Sequence, residues 1–336
     1  NKDYSGKKLT LTLALGSAMV LATIFGIYIE GGIQSWDITK LADVHLSETF
    51  QMWAFPLAFM GFAVSGSLFP FHFWSPDGHS SAPTAVSMLA AGVMMKMGPY
   101  GCIRVAIYLM PEAARFWLPY IAYLVLFNVV VAGFIAIRHK DLKYITAYSS
   151  ISHLGLIFLG LAAATPLAFR GAALQMLSHG FLTGLFFASI GMIYSRTHTR
   201  NINEMGGLMK VMPFLGVCFV IAGFAGLGLP GLSGFVAEAT IFIGSFQNES
   251  TLIRMITILG ILSITVTAIY ILQTANRMLH GPVTHAHFKV LTDADPIEKT
   301  ALVLIIACLV GVGLFPGWIS AFLDTSIVPI FANFMR

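Results

Sequence analysis

Nine apolar runs, each long enough to cross a lipid bilayer, follow one another along this chain of 336 residues. A helix needs about 20 mostly apolar residues to span a hydrocarbon core of about 30 Å. The runs are 9–30, 49–73, 84–110, 116–137, 142–163, 167–194, 211–246, 252–278 and 300–320. Only 10% of the residues are charged, against about 25% in a typical soluble domain. The sequence therefore predicts an all-α polytopic membrane protein with about nine transmembrane helices.

Two of the nine runs contain residues that interrupt a helix. The first interruption lies at Pro70, near the end of run 49–73, and at Pro76 just after it; the second lies at Pro230 among the glycines of GLGLPGLSGFVAE, which ends at Glu238. Both passes are therefore expected to be discontinuous helices. Broken helices at membrane depth are tolerated where they face protein or water, and they commonly mark ion or substrate sites.

The basic residues indicate an orientation, because cytoplasmic loops carry an excess of lysine and arginine. Alternating the nine passes places twelve basic residues on the side of the N-terminus and five on the other side, the five being Lys40, Arg115, Arg170, Arg254 and Arg336. We therefore expect a cytoplasmic N-terminus and an external C-terminus. Residues 1–320 are expected to form one transmembrane domain, and residues 321–336 a short surface tail. The opening NKDYSGKK has no initiator Met and is expected to be a loop, so the chain is interpreted as the C-terminal portion of a longer protein.

Ionisable side chains inside the apolar runs are the candidate functional residues. Lys96 lies about 12 residues into its run, which is about 18 Å from the start of the helix and near the middle of the bilayer. The other candidates are His72, His153, His179 and Glu238. Buried groups of this kind can pass protons along a hydrated chain. Two alternatives stay open at this point: Lys96 snorkels to an interface, or the histidines are satisfied core residues.

Other kinds of chemistry find no support in the sequence. Cys102, Cys218 and Cys308 lie in apolar runs without CxxC spacing, which indicates neither a disulfide nor a metal site. His285 and His287 lie in a loop without further ligand spacing. Nucleotide-binding, nucleophile, haem and Fe–S motifs are missing as well. We therefore expect no cofactor in this chain.

Five long segments carry a resemblance to a known family. They are FPFHFWSPDGHSSAPTAVSMLAAGVMMKMGPYG, DLKYITAYSSISHLG, LQMLSHG, THTRNINEMGGL and GLPGLSGFVAEATIFIGSFQ. In this order they resemble the antiporter-like subunits of respiratory complex I, most of all the M-type subunit, the counterpart of mitochondrial subunit 4. The resemblance covers nearly the whole chain. It implies that the nine passes match helices six to fourteen of a fourteen-helix fold, with the first five helices missing.

The resemblance also implies roles for the candidate residues. Lys96 would be the central relay lysine, the three histidines would line a buried hydrophilic axis, and Glu238 would release the proton. The sequence departs from the family pattern at Ser65, which stands where the family has a lysine. A serine cannot hold a charge at neutral pH, so three possibilities stay open: another base supplies that step, water alone does, or the subunit does not pump.

The sequence thus predicts a proton-translocating membrane subunit of an NADH–quinone oxidoreductase, driven by redox chemistry in other subunits. Flavin, Fe–S clusters and quinone would lie in those subunits, and the partners would be neighbouring antiporter-like subunits in a bacterial cytoplasmic membrane. Three alternatives remain: a subunit of a multi-subunit cation/proton antiporter, a subunit of a membrane-bound hydrogenase or formate-oxidising complex, and a non-pumping structural homologue. No nucleic-acid partner is expected, because the net charge of +4 has no basic tract behind it.

Overall fold

The computed structural model describes residues 2–33 and 35–335, and within these ranges the regular structure is helical apart from one isolated β-bridge. The helices are, in chain order, α1 Lys2–Gly31, α2 Ile38–Ala42, α3 Glu48–Ser65, α4 Trp74–Ser81, α5 Thr84–Ile107, α6 Pro111–Arg138, α7 Leu142–Ala162, α8 Pro166–Thr197, α9 Leu208–Val211, α10 Pro213–Gly226, α11 Ser233–Phe246, α12 Thr251–Leu279, α13 Pro296–Leu314 and α14 Pro316–Met335. The predicted all-α fold class is confirmed.

Seven helices are long and apolar enough to cross a membrane, namely α1, α5, α6, α7, α8, α12 and α13. The two remaining predicted passes are the interrupted ones, α3 with α4 and α10 with α11. The predicted count of nine passes agrees with this arrangement and stays a prediction. Helix α7 is the most enclosed candidate span, with 94% of its apolar window buried. Its faces are therefore the place where polar side chains meet other helices rather than lipid.

Both predicted interruptions are present. In the first, helix α3 ends at Ser65, and a 3₁₀ turn at Phe71–Phe73 precedes α4. Pro70 lies in this break. Pro76 does not break a helix as we expected, because it lies in the first turn of α4, where a missing N–H costs no intrahelical hydrogen bond. In the second, residues 227–232 separate α10 from α11.

Both ends of the described chain are helical. Helix α1 begins at Lys2, so the opening residues are not a loop. Helix α14 includes most of the expected surface tail, and its Ile327, Ile330 and Phe334 are buried. These three residues recur at helical spacing and give α14 one apolar face that packs on the bundle. Residues 321–335 are thus helical, while Phe322 and Val328 on the helix are exposed. The surface position of this segment stays a prediction, and Arg336 lies outside the described residues.

Candidate functional site

Glu238 lies beside the second break, in the second turn of α11, and its side chain is buried. Gly228 and Gly231 turn the chain there with φ angles of +64° and +94°, a conformation that costs glycine little. A Cβ atom at position 228 would lie 2.7 Å from Glu238 Oε2. Glycine at this position therefore lets the carboxyl group approach the backbone of the break closely.

The other carboxyl oxygen of Glu238 meets two buried side chains from neighbouring helices. The Nδ1 atom of His153 on α7 lies 3.2 Å from Oε1, which is an ion-pair distance without the alignment of a hydrogen bond. The Nε2 atom of Gln175 on α8 donates to the same oxygen at 3.4 Å. Three helices thus converge on one carboxyl group, with a titratable group and an amide against it.

His179 extends this cluster along α8. It lies one turn after Gln175, and its ring centroid is 5.2 Å from that of His153. Both ring nitrogens of His179 are buried, and neither has a hydrogen-bond partner among the described residues. Buried polar groups are normally paired, so these two nitrogens indicate a site built for a mobile proton or for water.

Lys96 lies on α5, where that helix crosses α8. Its side chain is only 7% exposed, so it does not snorkel to an interface. Gly92, one turn earlier on the same face, approaches the carbonyl of Gly180, the residue that follows His179. Lys96 lines a cavity together with Ala173, Met176 and Leu177 of α8. The lysine therefore lies at the crossing of α5 with the helix that carries His179.

The backbone around Lys96 is irregular. Two π-helical segments, Ala90–Met94 and Cys102–Ile107, flank the short α-helical part that carries the lysine. The Lys96 ammonium donates a hydrogen bond to the carbonyl of Ala91 in the first of these segments. Single-turn π segments often occur at functional sites. The apolar pattern of the run gave no signal for them.

His72 does not join this group. It lies at the first break, half-buried, with its ring 5.7 Å from that of Phe69, and no hydrogen bond or ion pair joins it to the other four candidates. The structure thus brings His179, His153 and Glu238 into contact, places Lys96 at the adjoining helix crossing without a direct contact to them, and leaves His72 apart. The reason is that Pro70 and the 3₁₀ turn direct His72 toward the wall formed by Asn128.

Two buried side chains near the group had been given no role. Gln175 was overlooked, although its position four residues before His179 places both on one face of a helix. His79 lies in the first of the five segments quoted above and receives no role from the sequence, and its Nε2 lies 3.4 Å from the sulfur of Met95, the neighbour of Lys96. The four-residue spacing between Gln175 and His179 could have indicated Gln175 from the sequence. No sequence pattern indicates the contact between His79 and Met95.

No metal centre is apparent in the part of the chain that the structure describes, since no three His, Cys, Asp or Glu side chains come together as ligands. His285 and His287 lie at the 3₁₀ turn Ala286–Val290, where their rings stack with centroids 5.5 Å apart.

Comparison with known proteins gives the chain a family. A family model described as NADH:quinone oxidoreductase/Mrp antiporter, TM, matches residues 1–267. The chain belongs to this family. Among its relatives, the NAD(P)H-quinone oxidoreductase chain 4 of Gloeobacter violaceus is 34% identical over 322 residues, which are 93% of this chain and 60% of the relative. The chain 4 1 protein of Synechococcus elongatus is 36% identical over 94% of this chain and 60% of its own length.

Solved structures of the family share the fold. A chain of respiratory complex I from Thermus thermophilus matches with a TM-score of 0.89 and 26% identity, over 99% of this chain and 68% of that one. A chain of the Mrp complex from Dietzia matches with a TM-score of 0.80 at 16% identity, over 98% and 67%, which shows a common fold alone. The resemblance to antiporter-like subunits is confirmed. The chain spans about 60% of the length of the relatives named above.

In this member of the antiporter family, Ser65 lies at the end of α3, beside α5. Its hydroxyl donates to the carbonyl of Met94 at 3.4 Å, and it lines a cavity of about 780 Å³ between α1, α3 and α5. Arg104 lines the same cavity and stacks over the ring of Tyr108 at 5.5 Å. The first break therefore has a hydroxyl group at the position where the resemblance implies a lysine.

Charged residues near the ends of neighbouring helices hold the half-helices of both breaks. Lys143 and Arg200 donate to the carbonyls of Ala82 and Ser80, each at 2.6 Å, at the C-terminal end of α4. Cations stabilise this end of a helix dipole. The carboxylate of Asp293 accepts from two backbone N–H groups in the first turn of α10, at 2.7 and 3.3 Å. The fold thus caps a negative helix end with cations and a positive one with an anion.

The loop that carries Arg200 is itself ordered by hydrogen bonds. Asp141, which caps the start of α7, forms an antiparallel β-bridge with Asn201. Thr199 and Asn201 donate to the Glu204 carboxylate at 2.6 and 2.9 Å. These hydrogen bonds lower the pKa of Glu204, so this carboxyl group stays ionised near neutral pH.

Proposed function

We propose that the chain is a proton-translocating membrane subunit of an NADH–quinone oxidoreductase of the complex I type. The observation that carries this proposal is the buried series from Lys96 through His179 and His153 to Glu238. This series runs from the crossing of α5 and α8 to the second break, between α10 and α11. The names of the relatives that are 34% and 36% identical to the chain support the quinone oxidoreductase over the other members of the family.

The physical basis of the transfer is the cost of charge in a low-dielectric interior. A buried ammonium or carboxylate is stabilised only by an opposite charge, a hydrogen bond or water. A proton that leaves Lys96 for His179 moves the positive charge toward Glu238. From His179 it passes to His153 and then to the carboxylate, which it neutralises. A conformational change elsewhere in the complex drives this transfer only if it stabilises one charge arrangement over the other.

The assembly follows from the same proposal. Redox chemistry would belong to partner subunits that hold flavin, Fe–S clusters and quinone, and the direct partners would be neighbouring antiporter-like subunits. The membrane would be the bacterial cytoplasmic membrane. We place the start of α1 and the caps at Arg200 and Asp293 on its cytoplasmic side, as the excess of basic residues on that side supports.

A second candidate function rests on Ser65. If the first break needs a charged group for coupling, a chain with serine there acts as a non-pumping structural subunit. This candidate predicts that Lys96 can be replaced without loss of proton transport.

The test is the number of protons moved per electron by the complex that contains this chain, reconstituted in sealed vesicles, with and without Lys96→Ala. We expect proton transfer through this chain to fall about 100-fold, as on loss of a positioned proton-transfer group, while electron transfer continues. Lys40→Ala, at an exposed lysine in α2, is the matched control. An unchanged ratio in Lys96→Ala would favour the structural candidate.

A further inference from the structure

Two buried glutamines in the described part of the chain each contact a glutamate, and the two amides are paired differently. Gln51 on α3 donates to Glu112 at 3.3 Å and to the carbonyl of Leu46 at 3.0 Å. Its Oε1 accepts from the backbone N–H of Glu112 at 3.2 Å. Both ends of this amide are thus engaged, as expected for a glutamine that holds two helix ends together.

Gln175 is buried more deeply, at 1% exposure, and only one end of its amide is engaged. Its Nε2 donates to Glu238 Oε1 at 3.4 Å, and its Oε1 has no hydrogen-bond partner among the described residues. A buried polar atom without a partner is normally avoided in a protein interior. An apolar side chain of the same length would fill this space without that penalty. The amide at position 175 therefore needs an explanation in terms of its glutamate.

We propose that Gln175 is a positioning residue that holds Glu238 in both of its protonation states. The inference rests on the proposed function, in which Glu238 gains and loses a proton. A carboxylate only accepts hydrogen bonds, whereas a carboxylic acid also donates one. The amide offers both partners from one site: its NH₂ group serves the carboxylate, and its free Oε1 serves the acid once the amide has turned about its last side-chain bond.

The proton balance of this step involves three groups. His153, as the imidazolium, gives its proton to Glu238 and becomes neutral, and Glu238 becomes the neutral acid. Glu238 later gives the proton to water and becomes the carboxylate again. The amide of Gln175 turns with each change, and it neither gains nor loses a proton.

The geometry gives this hold a direction. Glu238 Oε1 faces His153 and Gln175, and Oε2 faces the backbone of Gly228 at the break. Because Gln175 restrains Oε1, the second oxygen stays directed at the break. The Gln175 amide thus prevents the Glu238 carboxyl group from rotating, so that Oε1 stays toward His153 and Oε2 stays toward the second break.

The test is the infrared C=O band of protonated Glu238 in the purified complex, assigned as the carboxyl band that disappears in Glu238→Gln. In Gln175→Met the side chain keeps its length and loses its hydrogen bonds, so we expect the band to move to higher wavenumber. Gln51→Met, at the fully paired amide, is the matched control and leaves the band in place. An unmoved band in an assembled Gln175→Met complex overturns the inference.

A second measurement needs no variant at position 175. In the complex labelled with ¹⁵N in its glutamine amides, a pH-induced difference spectrum should contain a glutamine amide band that is lost in Glu238→Gln. A spectrum without such a band contradicts the inference. If the Glu238 band moves in Gln175→Met while Lys96→Ala leaves proton transport unchanged, the hold on Glu238 stands and the proposed function fails. If Lys96→Ala stops proton transport while the Glu238 band stays in place in Gln175→Met, the proposed function stands and the inference about Gln175 fails.

Discussion

The chain interrupts two membrane passes, and it satisfies the backbone of the two breaks in different ways. At the first break, buried side chains take over the lost helix hydrogen bonds. Asn128 accepts from the N–H of Phe69 at 2.7 Å and donates to the carbonyl of Ser67 at 2.9 Å, while the indole of Trp74 donates to Val64 at 2.9 Å. The side chains of Asn128 and Trp74, which flank the first break, are therefore occupied by its backbone.

At the second break the backbone closes on itself. Leu229 donates to the carbonyl of Phe224 at 3.2 Å, Leu232 donates to that of Leu229 at 3.1 Å, and glycines make the turn. No side chain is needed for these bonds. Glu238 is accordingly free to meet His153 and Gln175.

The difference between the breaks separates two roles that a broken helix can have. An interruption opens the backbone at membrane depth, but proton chemistry also needs an ionisable side chain that the backbone does not use. The second break has one in Glu238. The first has Ser65, whose hydroxyl is bonded to a carbonyl of α5, and His72, which is ionisable but has no hydrogen bond or ion pair with the other four candidates among the described residues.

The largest structural effect is expected at the packing of the first break against α5. A Cβ atom at Gly98 would lie 2.5 Å from the backbone nitrogen of Gly66, so Gly98→Ala should lower the free energy of unfolding by about 1–3 kcal/mol, the usual cost of overpacking. Gly184→Ala on α8, where the space is open, is the control. Thermal unfolding in detergent measures both. Equal midpoints for the two variants would show that the first break is not tightly packed.

A smaller effect is expected at the helix caps, where the breaks differ in the sign of the capping charge. Asp293→Ala removes the acceptor of two N–H groups and should cost about 1 kcal/mol, as loss of an N-terminal cap does. Arg200→Ala should cost less, about 0.5 kcal/mol, because its guanidinium is partly solvated and salt screens it. Chemical denaturation at low and high salt checks the order. A larger loss in Arg200→Ala would reverse our ranking of the two ends.

The sequence was sufficient for much of the fold because a bilayer imposes simple rules. The length of the apolar runs predicted the long helices, and Pro70 and the glycines near Pro230 predicted the breaks. Hydropathy does not report what lies against a helix, however. Hydropathy therefore did not predict that Ile327, Ile330 and Phe334, on one face of α14, are buried against the bundle, because their burial depends on tertiary packing.

The candidate site was predictable in its residue types and not in its connections. Depth in the apolar runs singled out His153, His179 and Glu238, which the structure brings into contact, and Lys96, which lies at the adjoining helix crossing. Sequence depth alone also included His72, which the local turn directs elsewhere. The contact between Gln175 and Glu238 joins residues 63 positions apart, and no local pattern predicts such a pairing.

The central claim is that proton transfer runs through the second break and not through residue 65 of the first. The most direct measurement compares Glu238→Gln with Ser65→Ala in the reconstituted complex, as protons moved per electron at equal electron-transfer rates. The account predicts that Glu238→Gln loses the contribution of this chain and that Ser65→Ala keeps it. Full transport in Glu238→Gln, or loss of transport in Ser65→Ala, would contradict it.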